Sequence, residues 1–513
     1  MRRIVSHSEL EFRQALKEAE SAGEDITIEL DPGTAYRTGE ETLLLTGGGG
    51  NKLVIEGNGA RLIGNGSGKA LTVHRSHVLI RNLHIGSYFV GVWIEADQKD
   101  ISEIGVKGCV FEDIVSEGVA TAITASGLGI SDIQVEENTF IAPSKERGGH
   151  CSTAINFMTA CFETDHQPIH HVALRNVRCK RNELKPNPQD KNVFMLGITV
   201  HGVCDYAFYD DGDMLRSPYN DVSDSLEEMI CIEDNVIEGV WDIGIDVLAG
   251  LPAIRNCILR NVEIRNNHIT YHNTAINVGT ANIPSSGNVR NCETSAVTIS
   301  GNTLIPQVPG PHEPQIGIML FTVRAESRTI VCRDLRMHDI YVINNHIYGR
   351  EVGIALQAIH ATQDLPFPSV VEHCSLKRVT IAGNKIENAQ LPVRIFAAHL
   401  EGRYDPFWGF DLAPFDKKLP FSTWCTNGLI DDVFLSDNEI YEYDTAFTIG
   451  AAWACGHAAV KDCTVGENVN AVRNKLDKRR KVFSYYKRVA DNDMYEDAIG
   501  MNNCVLCDLK NEE

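Results

Sequence analysis

A short pattern of apolar and polar positions recurs along the whole chain. An apolar residue is followed by two variable residues, an asparagine, one more residue and a second apolar residue, as in VEENTF, ISGNTL and IAGNKI. The repeated polar position holds Asn58, Asn82, Cys109, Asn138, Asn182, Asn235, Asn267, Asn302, Asn345, Asn384, Asn438 and Asn468. Because all but one of these residues are asparagine, we predict that they stack on one another as a ladder.

The asparagine position predicts a tight turn between two short strands. Asparagine tolerates left-handed backbone geometry, and its amide can bond to equal amides above and below at a strand spacing of about 4.8 Å. The segments between the asparagines alternate apolar and polar residues, which indicates strands rather than helices. The pattern therefore predicts an all-β chain folded as a right-handed parallel β-helix of about a dozen rungs.

The two ends differ from the repeat. Residues Glu9 to Ala22 have the pattern of an amphipathic helix with Ser8 as its N-cap, so we expect residues 1–24 to cover the first rung. The solenoid is predicted for residues 25–470. The charged tail, residues 471–513, is expected to cap the last rung with a helix around Val472 to Val489.

Composition narrows the classes of partner. The chain has 513 residues and a formal charge of −22, which disfavours nucleic acids and acidic membrane surfaces. No apolar stretch approaches the roughly 18 residues of a membrane span. The amino-terminal residues show no secretion signal, so we expect a cytoplasmic protein whose fifteen cysteines are reduced. Cys504 and Cys507 lack a second pair, and no metal is assigned to them.

A second strand recurs after each turn, as GITVHG, GIDVLA and AINVGT, and it predicts where function lies. Since alternate residues of a strand point to opposite faces, one column of outward residues is formed by Trp93, Thr124, Asn156, Thr199, Asp246, Asn277, Met319, Ala355, Arg394 and Thr448. His201 lies in a second outward column. The longest insertions leave after these strands, and insertions on one flank usually mark the binding face of a repeat protein. We therefore expect Asn156, Thr199, His201, Asp246 and Asn277 to form one functional patch.

Acidic residues in the insertion after His201 suggest acid–base chemistry. Glycosidic cleavage commonly uses two carboxyl groups, one to protonate the leaving oxygen and one to activate water or attack the sugar. Asp246 and one of Asp210, Asp211 or Asp213 could supply them. The sequence DDGD also suits a Ca²⁺ site or a solvated loop, and these alternatives stay open; no other cofactor is expected.

Further residues of the insertions suit a sugar-binding surface. Aromatic rings pack against sugar faces, while amides and charged groups bond to hydroxyls at the rim. On this basis Tyr209, Trp408, Asp405 and Arg394 are candidate substrate-binding residues, beside Asn156, Thr199 and Asn277. The alternative is that the aromatic residues only pack the insertions onto the solenoid or onto another subunit.

With its asparagine turns and repeated strands, the chain resembles the pectin-lyase-like superfamily of parallel β-helices from about residue 25 to residue 470. The resemblance implies a carbohydrate-active protein: glycoside hydrolase, polysaccharide lyase, sugar epimerase, fructotransferase or tailspike. Asp210 and Asp211 match the DD motif of polygalacturonases, whose NTD, GHG and RIK motifs are not found in matching order. The group of inulin fructotransferases and difructose-anhydride hydrolases is also similar, and it implies a homo-oligomer, namely a trimer.

The outward columns decide between these activities at the level of sequence. Lyases place lysine or arginine in the cleft to stabilise an anionic intermediate, and the two columns contain Arg394 and no lysine. With the net charge of −22, this favours a glycoside hydrolase or glycosyl (fructosyl) transferase acting on a largely neutral oligosaccharide. The alternatives are a lyase acting on uronates and a glycan-binding β-helix without catalysis.

Overall fold

The computed structural model describes most of the chain. It describes residues 1–513 except 48, 148–151, 163–167, 206–221, 251–253, 284–286, 308–314, 327–329, 363–368, 402–422, 455–457, 467, 478–480, 487–488, 491–499, 503–504, 507–510 and 513. Within this part the regular structure is strand, apart from one α-helix, Glu9–Ser21, and one 3₁₀ turn, Lys145–Arg147. No helix of the described residues is long and apolar enough to cross a membrane.

The strands form two large parallel sheets, in which each strand pairs with its equivalent in the next rung. The first sheet contains Arg2–Ser6, Ile26–Leu30, Leu53–Glu56, Val78–Arg81, Ile101–Lys107, Gly129–Glu136, Ile169–His170, Ala173–Lys180, Val222–Ser223, Leu226–Glu233, Ile254–Arg255, Ile258–Arg265, Gly287–Arg290, Glu293–Ser300, Ile330–Ile343, Ser369–Ala382, Thr423–Thr426, Leu429–Ser436, Ala458–Lys461, Thr464–Val465, Val469–Val472, Gly500–Asn502, Val505–Leu506 and Asn511–Glu512. The chain therefore crosses this sheet once in every rung.

After each asparagine turn the chain enters the second sheet, where it forms first a short strand and then a longer one. It contains Ala35–Gly39, Leu43–Leu45, Arg61–Gly64, Lys69–Val73, His84–Ala96, Val110–Ile123, Thr139–Ile141, Thr153–Phe162, Glu183–Lys185, Phe194–Asp205, Val236–Leu248, His268–Tyr271, Thr274–Ile283, Thr303–Pro306, Ile316–Glu326, His346–Tyr348, Val352–Thr362, Lys385–Glu387, Leu391–Glu401, Glu439–Tyr441, Thr445–Ala454, Lys475–Leu476, Lys481–Tyr486 and Val489–Ala490. Stacked rungs of parallel strands confirm the predicted parallel β-helix.

Columns of equivalent aliphatic side chains fill the inside of the solenoid. One of them runs through Ile232, Ile264, Ile299, Val342 and Ile381, which pair in successive rungs and are all completely buried. Each buried aliphatic side chain contributes about 1.5–3 kcal/mol by leaving water. The core is therefore one continuous stack rather than several separate cores.

The asparagine ladder exists, with a corrected register at both ends. From Asn138 to Asn438 each Nδ2 donates to the Oδ1 of the next member, and the last acceptor is Asn474 rather than Asn468. Asn82 lies one position before the ladder, at the left-handed residue of its turn, and Asn58 bonds to Leu30 instead. The prediction was wrong at these three positions because both places in the turn accept asparagine.

The left-handed residue of the turn is the one that precedes the ladder. Arg181, Asp234, Asn344 and Asp437 have φ between 53° and 56°, while none of the ladder asparagines from Asn138 to Asn438 has a positive φ. Of the two expected reasons for repeating asparagine, the amide hydrogen bonds are confirmed and the left-handed backbone geometry is wrong.

The helix predicted at the amino-terminal end is confirmed, and the helix predicted at the carboxy-terminal end is not. The helix Glu9–Ser21 begins after Ser8, whose side chain accepts from the Glu11 N–H, and it buries Phe12 against the first rung, as predicted. The helix predicted around Val472 to Val489 is wrong. Its described residues form strands, including Lys481–Tyr486, which pair with the preceding rung because the ladder continues to Asn474.

Cys109, Cys179 and Cys231 form no disulfide bond. Cys109 and Cys179 point inward and are buried, as expected of small apolar residues. Cys231 faces outward instead: it pairs with Arg178 and Glu263 on the outside of the first sheet and is half-buried. Cys504 and Cys507 lie outside the described residues.

Candidate functional site

Four of the predicted patch residues are direct neighbours in one outward column of the second sheet. Asn156 pairs with Thr199, Thr199 with Asp246, and Asp246 with Asn277. His201 lies two residues after Thr199, on the same face of the same strand. The structure thus brings together the five residues that the sequence grouped, although it does not test their roles.

His201 and Asp246 form a buried pair at the centre of this patch. The Nε2 atom of His201 lies 3.0 Å from Oδ2 of Asp246. The other carboxyl oxygen, Oδ1, accepts a hydrogen bond of 2.9 Å from Nδ2 of Asn277. A carboxylate that binds one ring nitrogen fixes the orientation and tautomer of the imidazole. The other nitrogen, Nδ1, is then the atom of His201 that can exchange a proton with a ligand.

Both carboxyl oxygens of Asp246 are engaged, which limits what this residue can do. His201 is 7% exposed and Asp246 is 3% exposed, so solvent competes little for these hydrogen bonds. A carboxylate held in this way orients its partner better than it attacks a substrate. The geometry therefore suits His201 to transferring a proton and Asp246 to holding the His201 ring in position.

Asn156 and Thr199 continue the row of polar groups toward the amino-terminal rungs. The Thr199 hydroxyl donates to Oδ1 of Asn156 at 2.6 Å. Asn277 closes the row at the other end, and its Oδ1 is buried without a hydrogen-bond partner. Amides and hydroxyls in one row can donate to and accept from a ligand that carries several hydroxyl groups.

The local sequence explains why these side chains face outward. In Phe194–Asp205 and Val236–Leu248, isoleucine and valine at alternate positions enter the core, which leaves Thr199, His201 and Asp246 on the outer face. Gly197 and Gly244 lie in these strands just before the patch. A Cβ atom at Gly197 would lie 2.3 Å from the Gly244 carbonyl oxygen, so the close approach of the two rungs requires glycine there.

Arg394 lies on the same column but far from the patch. Met319 and Ala355 occupy the two rungs between Asn277 and Arg394. At about 4.8 Å per rung, Arg394 is some 19 Å from Asp246. The intervening surface is apolar and buried, formed with Leu248, Phe321 and Val352. Arg394 therefore does not belong to the His201 patch.

A third outward column, which sequence reasoning missed, places further polar residues near Arg394. His360 and His399 pair in adjacent rungs, with ring centroids 5.6 Å apart, and Nδ1 of His360 lies 2.6 Å from Oε1 of Gln357. Arg324 precedes His360 in the same column. Aligning the strands three residues further, through QAIH and FAAH, would have found the two histidines.

One rung of the predicted columns was misaligned. The neighbour of Trp93 in the first column is Ala120, not Thr124. The strand Val110–Ile123 contains a bulge, and the repeated segment VATAITAS offers two similar alignments. Thr124 bonds instead to Glu95, which also accepts from the Trp93 indole. Glu95 is three rungs from His201, about 14 Å, so it is too distant to be its catalytic partner.

The other predicted site residues lie outside the described residues. They are Tyr209, Asp210, Asp211, Asp213, Asp405 and Trp408. The pairing of Asp246 with a second carboxyl group, and the Ca²⁺ alternative, therefore stay predictions. Within the part of the chain that the structure describes, no group of three or more histidine, cysteine, aspartate or glutamate side chains is arranged to hold a metal ion.

Comparison with known proteins gives remote structural likenesses. No protein-family model matches the chain, and no curated protein matches it. The alginate lyase of Paenibacillus sp. str. FPU-7 is 13% identical, with 63% of this chain and 98% of the lyase covered and a TM-score of 0.32. The surface protein and adhesin PfbA of Streptococcus pneumoniae is 11% identical, with 96% of each chain covered and a TM-score of 0.39.

A tailspike protein of the E. coli bacteriophage HK620, solved with a hexasaccharide, is 10% identical, with 93% of this chain and 74% of the tailspike covered and a TM-score of 0.31. Likenesses of this degree carry no argument about the activity or the site of this chain.

Proposed function

We propose that this protein is a carbohydrate-active enzyme that cleaves a glycosidic bond, with His201 as the group that transfers the proton. The observation that carries the proposal is the buried pair of His201 and Asp246 on the outer face of the solenoid. A histidine oriented by a carboxylate is a common general acid or base. The row of Asn156, Thr199 and Asn277 beside it suits a ligand rich in hydroxyl groups.

Hydrolysis or transfer requires a second group, to attack the anomeric carbon or to activate water. Asp210, Asp211 and Asp213, in the segment that follows the strand Phe194–Asp205, are the proposed sources of this carboxylate. In this mechanism His201 protonates the leaving oxygen through Nδ1, while Asp246 stabilises the charged ring. The proposed substrate is a largely neutral oligosaccharide, as the sequence favours.

Elimination at a uronate is the second candidate, and the same pair is compatible with it. An imidazole held by a carboxylate can take the proton next to the uronate carboxyl group as a general base. As the double bond forms, the bond to the glycosidic oxygen breaks and that oxygen takes up a proton, whereas hydrolysis consumes water and forms no double bond. The two mechanisms therefore differ in a property that can be measured directly.

The test uses the full chain, neutral oligosaccharides and uronate oligomers. New reducing ends and ultraviolet absorbance are followed in the same reaction. Reducing ends without absorbance would support hydrolysis, absorbance would support elimination, and no change of either kind in any substrate would contradict both and leave transfer to a non-reducing product or binding without catalysis. We expect His201→Gln to lower the rate by about 10²–10⁴-fold, because a positioned acid–base group contributes about that much.

Asp246→Asn tests the positioning role. An amide at this place can hold the wrong tautomer of His201, so we expect a loss of at least about 10²-fold. His346→Gln is the matched control. His346 also pairs with a carboxylate, Glu387, at 2.6 Å, but it lies in the short strand His346–Tyr348, outside the patch. Full activity of the Asp246→Asn protein would rule out this assignment.

A further inference from the structure

An acidic side chain occupies a position inside the solenoid, beneath the candidate site. Glu227 belongs to the first sheet, in the strand Leu226–Glu233, and its neighbours in the adjacent rungs are Leu174 and Leu259. All three side chains are completely buried. A carboxyl group therefore stands where the neighbouring rungs have leucine, and a buried polar group without partners destabilises the fold.

Three polar side chains meet at this point and leave four oxygen atoms without hydrogen-bond partners. The atoms are both carboxyl oxygens of Glu227, Oγ1 of Thr159 and Oγ of Ser225, and all four are buried. The two hydroxyl groups lie near the carboxyl group, and their weak contacts lower its pKa against the larger rise caused by burial, but neither contact has the geometry of a full hydrogen bond. Two other interior threonines, Thr280 and Thr322, each donate to a main-chain carbonyl oxygen at 3.0 Å.

The carboxyl group of Glu227 reaches across the core to the strand that carries His201. A Cβ atom built at Gly202, the residue after His201, would lie 3.2 Å from Oε1 of Glu227. The same Cβ atom would lie 1.9 Å from the Ala249 carbonyl oxygen, so this main-chain contact requires the glycine, and the carboxyl group lies beside it. The four oxygen atoms therefore lie between the first sheet and the inner side of the strand Phe194–Asp205.

We propose that Glu227, Thr159 and Ser225 form an internal binding site for water, which links the two sheets beneath His201. A buried water typically makes two to four hydrogen bonds to otherwise unsatisfied polar groups, and these side chains offer both donors and acceptors. Unsatisfied buried atoms that are concentrated at one place need such a partner. The inference concerns the solenoid itself and does not depend on the proposed enzymatic function.

Water fits this site better than a metal ion. Burial raises the pKa of the Glu227 carboxyl group well above its usual range, which favours its protonated, uncharged form. The titratable groups that interact with it are the thiols of Cys257 and Cys292, which are hydrogen-bonded to each other. These groups are uncharged in their protonated forms, and an ion here would leave its charge uncompensated in an apolar core.

The direct test is a crystal structure of the complete wild-type protein at high resolution and neutral pH, from crystals grown once in sodium salts and once in rubidium salts. We expect a density peak about 2.7–3.2 Å from the Glu227 carboxyl group and from at least one of the two hydroxyl groups. Absence of the peak would overturn the proposal. A peak with the anomalous signal of rubidium would also overturn it, because the ligand would then be a cation.

The second measurement is the pH dependence of the denaturant midpoint. A raised pKa in the folded state means that the stability from Glu227 is complete below the pKa of the unfolded chain, near 4.5, and is lost as the pH rises from there toward the folded pKa. In this window the folding equilibrium constant falls up to tenfold per pH unit. Glu227→Gln keeps the hydrogen-bonding groups but cannot ionise, so we expect this slope to disappear.

Glu228→Gln is the matched control. Arg260 and Arg175 lower the pKa of the Glu228 carboxyl group, so its contribution is present above pH 4.5 and is lost as the pH falls. Glu227→Gln should change the pH profile of stability above about pH 4.5, and Glu228→Gln should change it below that pH. An unchanged slope in the Glu227→Gln protein would contradict the neutral buried carboxyl group on which the water site depends.

Discussion

Asparagine side chains are fully hydrogen-bonded in one region of this molecule and only partly hydrogen-bonded in another. In the ladder inside the turns, Asn302 accepts from the main-chain N–H and the Nδ2 of Asn267, and it donates to Ile264 and Asn345. In the patch on the outer face, Asn277 donates to Asp246 and has a buried Oδ1 without a partner. Both residues are completely buried. The difference therefore lies in their neighbours and not in their exposure.

The ladder is satisfied by repetition. Every member between the two ends has an identical residue above and below, so one set of hydrogen bonds serves these rungs. Neighbouring rungs of the patch have different residues, and their hydrogen bonds cannot be supplied by the repeat. A buried polar group that the repeat does not satisfy calls for a specific explanation, such as a ligand or a catalytic role. The non-repeated polar residues are thus better functional candidates than the repeated ones.

The largest expected effect comes from breaking the ladder. We expect Asn302→Leu to lower the free energy of unfolding by about 2–5 kcal/mol, because the buried N–H of Asn267 and the carbonyl oxygen of Ile264 both lose a partner. The quantity is measured by chemical denaturation. Asn288→Leu makes the same chemical change on an exposed strand residue and should alter stability by less than about 0.5 kcal/mol. Equal effects of the two substitutions would show that the ladder is not a special source of stability.

The repeat was the part of the fold that the sequence could predict. A turn that recurs with one residue type implies stacking, and stacking then implies neighbours, so the contacts of Asn156, Thr199, Asp246 and Asn277 followed from alignment alone. The predictions were wrong where the repeat can be aligned in more than one way. Asn82 and Asn468 were assigned to the ladder because asparagine is acceptable at more than one place of such turns, and Thr124 because its strand aligns in two ways.

Contacts that do not repeat could not be predicted. Hydrophobic alternation indicates that His201 and Asp246 face outward, but the diagonal hydrogen bond between them depends on side-chain orientation. Glu227 was missed for a related reason, since an acidic residue in a strand is normally assigned to the solvent face. The tail was mistaken for a helix because its charged residues conceal short strands, which are held by pairing with the previous rung.

A smaller effect is expected inside the patch. Thr199→Val removes the hydroxyl group that donates to Asn156 and keeps the side-chain shape, so we expect a loss of about 1–2 kcal/mol in the free energy of unfolding. Unlike Asn302→Leu, it removes one short hydrogen bond and only a long main-chain contact, to the Ile155 carbonyl oxygen at 3.5 Å. The double variant, Thr199→Val with Asn156→Leu, removes donor and acceptor together. It should be less destabilised than the sum of the two single variants, and strict additivity would argue against coupling of the pair.

The smallest expected effect extends the ladder by one member. Cys109 occupies a ladder position: its N–H donates to Oδ1 of Asn138, and its thiol faces the Ile80 carbonyl oxygen at 3.9 Å. In Cys109→Asn the new Nδ2 could donate to both of these oxygen atoms, as Asn138 does with Val106 and Asn182. We expect a gain of about 1 kcal/mol in the free energy of unfolding, measured by chemical denaturation.

Cys109→Ser separates amide stacking from simple polarity. Serine places a hydroxyl group at the same position, but it cannot donate two hydrogen bonds from one nitrogen or accept from the rung before with a carbonyl oxygen. If repetition is what stabilises the ladder, asparagine should raise the unfolding midpoint and serine should not. Equal midpoints of the two variants would mean that local packing alone determines the stability at position 109. Cys109 is buried, so a larger side chain at this position must displace its neighbours.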